Sequence, residues 1–133
     1  MRRRAVSESG FGMVSLLVAI VLLAIGIVAI SASSAFMASL QTDAAERSRA
    51  TAIAVTYMEQ VKMRLPKTLA SEDTFAVDGS GAVVADGVYL RSLTVVPEPG
   101  IVDAVRTTVS VQYPAGLGRT GTVEMVTTIY AGN

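Results

Sequence analysis

From residue 11 to residue 30 the chain reads FGMVSLLVAIVLLAIGIVAI, twenty positions without a charge, and the small, uncharged SASSAFMASL prolongs the run. Twenty residues of helix rise about 30 Å, the thickness of a bilayer's hydrocarbon core. A helix that is apolar on every side needs lipid or other protein around its whole circumference. The chain has 133 residues, too few to enclose such a helix within a soluble domain. A membrane span is therefore the first expectation. Arg2, Arg3 and Arg4 stand just upstream, and clustered basic residues hold that end of a span in the cytoplasm and send the rest outward.

A basic start followed by an apolar run also describes a secretory signal peptide, and Ser33-Ser34-Ala35 supplies small residues for a cut that would leave a chain beginning near Phe36. Two features oppose it. The run is long for a signal segment, and a helical pattern continues past the cut. Ala50, Ile53, Ala54, Tyr57, Met58, Val61 and Leu65 recur at i, i+3, i+4 and i+7. Arg47, Arg49, Glu59, Gln60, Lys62 and Arg64 fall largely off that stripe. No proline interrupts residues 11–64, so one helix runs through both halves and is expected to stop at Pro66.

Beyond Pro66 the pattern changes to β structure. Residues 74–78 read as a short strand or a loop before the turn signal Asp78-Gly79-Ser80-Gly81. Residues 88–96 read as a strand closed by Pro97-Glu98-Pro99-Gly100. In residues 105–113, Val105, Thr107, Val109, Val111 and Tyr113 alternate with Arg106, Thr108, Ser110 and Gln112. A glycine-rich loop and a last strand over residues 122–130 follow. Three strands in series with short connections predict an antiparallel meander, so the fold class is α+β: a long N-terminal helix whose amphipathic second half packs on a small antiparallel sheet. Val105, Val109 and Val111 are expected to face Ile53, Tyr57 and Val61.

With 11 basic and 11 acidic residues the net charge is zero, so no field draws the chain to nucleic acid, and no direct nucleic-acid partner is expected. There is no Cys and no His, which removes thiol and imidazole nucleophiles and the usual zinc, haem and iron–sulfur ligands. Neither a catalytic residue nor a cofactor nor a metal site is expected. Asp78 and Asp86 lack the spacing of a calcium loop and read as turn residues. Glu46, Arg47 and Arg49 read as a solvated face or a docking contact. Tyr57 and Met58 read as core, and nothing in the sequence places an acid/base pair such as Glu59 with Glu72 in a pocket.

The segment Ser9-Gly10-Phe11-Gly12-Met13-Val14-Ser15-Leu16-Leu17-Val18-Ala19 resembles the cleavage motif of type IV pilins and pseudopilins, a glycine followed by F-T-L-I-E and an apolar continuation. VSLLVAIVLLAIG resembles a stretch common among minor pilins and minor pseudopilins, and LQTDAAERSRATAIAVTYMEQVKMR resembles the second half of their helix. The resemblance covers the first half of the chain. It implies a leader at residues 1–10, a transmembrane and filament-core helix at 11–36, its amphipathic continuation at 37–65 and a pilin-like sheet domain at 66–133. It further implies cleavage between Gly10 and Phe11 by prepilin peptidase and N-methylation of Phe11. The implied partners are other pilin or pseudopilin subunits, an inner-membrane assembly platform and membrane lipid, and the product is a pilus or secretion pseudopilus outside the cytoplasm. Two positions depart from the pattern. Ser15 stands at the fifth residue of the mature chain, where the family carries a glutamate that meets the N-terminal amine of the neighbouring subunit, and Ala32 stands where many major pilins have proline. A subunit without that glutamate resembles a tip or initiating subunit; drift, with Ser15 bonded back to its own helix, is the competing reading. Outside the family, the chain reads as a single-pass anchored or a secreted binding domain.

Overall fold

The computed structural model describes the backbone of residues 9–132 and the side chains of residues 12–132. Of the leader expected over residues 1–10, residues 1–8 lie outside the described residues, as do the side chains of Ser9 and Phe11. Helix α1 runs unbroken through Ser9–Lys62, a 3-10 turn spans Pro66–Thr68, and four strands follow: β1 (Glu72–Val77), β2 (Tyr89–Pro97), β3 (Ala104–Pro114) and β4 (Thr120–Tyr130). The chain divides into two compact units between Ser39 and Leu40.

In the first unit the helix stands alone. Its side chains from Met13 to Ile30 are exposed on every side, as an all-apolar sequence without a partner element requires. Ser31 Oγ donates to Ile27 O (2.9 Å) and Ser39 Oγ to Phe36 O (2.7 Å), so these hydroxyls are satisfied inside the helix without water.

In the second unit the strands form one sheet in the order β1-β2-β3-β4, each antiparallel to the last, the meander that the short connections predict. Residues 74–78, ambiguous between strand and loop, fall mostly within β1 (Glu72–Val77), a strand additional to the three expected, and Asp78 lies just beyond it. Strand β1 pairs with β2 through a register shift between Glu72 and Phe75, and such a bulge masks the alternation by which a strand is recognised. The helix covers the inner face with the stripe read from its periodicity: Ala50, Ile53, Ala54, Tyr57, Met58 and Val61 are all buried. They form one core with Val77, Tyr89, Leu93, Val109, Val111 and Tyr113.

Three expectations are corrected. Leu65 does not join the stripe; it is 72% exposed. The helix ends at Lys62, three residues before the expected boundary, because the residue preceding Pro66 is driven to extended backbone, and Leu65 sits at φ −66°, ψ 123°. Lys62 then lies in the last turn, where a positive charge suits the carbonyl end of the helix. Val105 keeps the inward parity but is only half-buried and falls outside the core. It pairs with Pro97 and Ile129 at the end of β3, and the fully buried place on that strand passes to Thr107.

Candidate functional site

Two features of the chain bear on function: a bare apolar helix surface, and the polar clamp that holds the sheet to the helix.

Thirteen large side chains between Met13 and Ile30 are exposed, none by less than half of its surface. One helix, near the N-terminus, is long and apolar enough to cross a membrane, and none of its most apolar stretch is buried. At roughly 1.5 to 3 kcal/mol for each large apolar side chain removed from water, the surface carries on the order of 20 kcal/mol of driving force toward lipid or a neighbouring helix. Ser15 is exposed on this surface. Gly10 and Phe11 belong to the first turns of the same helix, by backbone alone.

The clamp has two ends. Toward residue 40, the Tyr89 hydroxyl from β2 donates to Glu46 Oε2 (2.5 Å), and Arg49 lies 3.5 Å from the other oxygen of the same carboxylate. Burial pushes the Tyr89 hydroxyl above its ordinary value, and the Glu46 bond adds to the shift. Glu46 is thus a tie between helix and sheet rather than a free surface charge, while Arg47 remains exposed.

Toward the end of the helix a four-residue cluster forms. Tyr57 donates its hydroxyl proton to Glu72 Oε2, and Arg64 Nη1 donates to Glu72 Oε1 at 2.5 Å. The Arg91 guanidinium lies 3.6 Å from the centroid of the Tyr57 ring, with Nη1 donating to Gly81 O at 3.1 Å. Arg64 approaches the same ring at 5.6 Å. A cation stacked on a tyrosine face is attracted by the ring's negative π-cloud, more strongly where water is excluded. Arg91 is buried, so the ring and the Gly81 carbonyl together take the place of its hydration. Burial raises the Tyr57 hydroxyl above its usual range, helped by the Glu72 carboxylate. Burial also pushes Glu72 upward, but the bonds from Tyr57 and Arg64 outweigh it and hold the carboxyl below its ordinary value. Glu72 therefore stays charged and binds β1 to the helix end.

Sequence reasoning had placed Tyr57 in the core, as found, but missed Arg91. Its signal was available: along β2, Tyr89, Arg91 and Leu93 share the inward parity, and a lone arginine on an otherwise apolar face implies a partner waiting for it. Glu59 and Glu72 are not brought together; Glu59 pairs with Lys62 at 2.9 Å. Asp78 is engaged by its own turn, its Oδ1 accepting from Ser80 N (2.9 Å), Ser80 Oγ (2.7 Å) and Ala82 N (3.1 Å), as the turn reading of that segment expects.

The arrangement holds a helix to a sheet and leaves the rest of that helix bare. Comparison of the chain with models of protein families, with curated proteins and with solved structures finds no match.

Proposed function

We propose that this chain is a minor structural subunit of a type IV pilus or a type II secretion pseudopilus. On this reading prepilin peptidase cuts between Gly10 and Phe11, Phe11 is N-methylated, and the helix carries the subunit from the inner membrane into a filament. The supporting observation is one uninterrupted helix, Ser9–Lys62, whose early part is apolar and bare while its later part is clamped to a four-stranded sheet. A subunit of this kind waits in lipid with its arginine-bearing end in the cytoplasm. It then exchanges lipid for neighbouring helices around the same side chains, so anchor and filament core are one surface. Nothing in this role calls for catalysis.

On this reading Ser15 suits a subunit at the filament tip. Each arriving pilin offers a glutamate at this position to the amine of the subunit ahead, and a first subunit has no subunit ahead. An unpaired carboxylate in an apolar setting is costly, and serine avoids that cost. Deletion of the chain is expected to reduce the number of filaments more than their length, with labelled copies at filament ends by electron microscopy. Label spaced along the shaft contradicts the tip position, and Ser15→Glu with unchanged filament number and end labelling means that the missing glutamate carries no positional information.

A further inference from the structure

The two edges of the sheet differ. The β1 edge is covered: Val84 N donates to Ala76 O (3.0 Å), Asp78 N to Ala82 O (2.9 Å), and Val77 bridges to Val83. A bulge further interrupts it. The β4 edge has none of these protections. Thr120–Tyr130 pairs with β3 over eleven consecutive residues without a register shift, contains no proline and no basic residue, and carries a single charge, Glu124. Among the described residues no backbone bond reaches its outer side. Natural sheets blunt a long edge with lysine, proline, a bulge or a cover, because a row of unpaired N–H and C=O groups is a template for another strand.

The hydrogen bonds at the two ends of the β3–β4 ladder show which groups face outward. Ala131 N donates to Asp103 O (2.7 Å) and Ala115 N to Arg119 O (2.9 Å); both pairs continue the ladder's register. In an antiparallel ladder, hydrogen-bonded and non-bonded pairs alternate. Odd-numbered residues of β4 therefore turn their N–H and C=O groups to β3, and Thr122, Glu124, Val126, Thr128 and Tyr130 turn theirs to the open edge. On the inner face Val123, Met125 and Ile129 are only half-buried against the core, so the apolar layer stops at this edge without being closed.

We propose that the β4 edge pairs with β4 of a second copy of this chain, antiparallel and centred on Val126, joining two four-stranded sheets into one. Only an extended backbone satisfies a row of N–H and C=O groups, and the sequence of β4 is complementary to itself about Val126. Val126 then meets its counterpart, Glu124 meets Thr128, and Thr122 meets Tyr130, all through outward-facing groups. On the inner side Val123 meets Ile129 and Met125 meets Thr127, which closes the half-covered apolar layer. Centring the pairing on Glu124 instead would set two carboxylates opposite each other. Val126 is 57% exposed as the chain stands alone.

The chain has no cysteine, so the full-length protein in lipid nanodiscs or detergent accepts single spin labels cleanly. Labels on Val126→Cys are expected at close range, the paired backbones being about 5 Å apart. Labels on Thr122→Cys should stand roughly 27 Å apart, eight residues of offset at about 3.4 Å each. Sedimentation should give a dimer whose dissociation constant Val126→Lys raises about tenfold or more, with the far-ultraviolet circular dichroism unchanged. A monomer throughout the micromolar range overturns the proposal and leaves the edge to a strand of another protein. A dimer whose label separation is not shortest at residue 126 overturns it equally, since association through the apolar helix would produce that pattern. Should Val126→Lys disturb folding, the label distances decide alone.

Discussion

Val109→Asp is expected to abolish the folded state of the unit after Ser39. Val109 has no exposed surface and lies in the core with Ile53, Tyr57 and Val61. The substitution forfeits roughly 1.5 to 3 kcal/mol of apolar burial. It also buries a carboxylate with no partner, a cost of several kcal/mol more. A domain of this size holds only about 5 to 15 kcal/mol in all. Circular dichroism of the full chain in detergent should show the sheet signal lost or its thermal midpoint lowered by about 15 °C or more, while helical signal from the apolar segment persists. An unchanged melt contradicts the strand register.

Gly87→Ala should do comparable damage for a different reason. A Cβ on Gly87 would meet backbone atoms of β1: Val77 N, Val77 O at 2.6 Å and Ala76 C at 2.7 Å. Backbone has no rotamer into which to retreat, so the loop must lift from β1, at a cost of about 3 kcal/mol or more. Gly79→Ala is the matched comparison: nothing lies within 4 Å of its Cβ. Neither glycine has positive φ, so the pair isolates steric contact from backbone strain. Gly79→Ala is expected to stay within roughly 0.5 kcal/mol of the parent. Equal melting curves for the two variants contradict the close approach of this loop to β1.

The elements legible in the sequence were those whose local period matches their global burial. The helix stripe from Ala50 to Val61 and the alternation of β3 both coincide with a buried face. Misreadings arose where one element runs out beneath another. Leu65 continues the helical period on paper, but Pro66 fixes its backbone outside the helix. Val105 continues the strand period but lies where the core no longer covers the sheet. Contacts between residues distant in sequence were invisible for another reason: no local pattern links Arg91 to Tyr57 or Gly87 to Val77. Periodicity reports on faces, whereas these contacts depend on how a loop and a strand close over a helix. The open edge of β4 was equally hidden, because a strand's place in the sheet order is not written in its own alternation.

The surface that defines the proposed role is the bare apolar helix, and its entry into a filament begins with one cut. Intact-mass analysis of the protein from the membrane fraction of cells with active prepilin peptidase tests this most directly. The expected product begins at Phe11 and carries one methyl group on its amine. A chain that keeps residues 1–10 in such cells, or one that begins near Phe36, contradicts assembly as a pilin or pseudopilin.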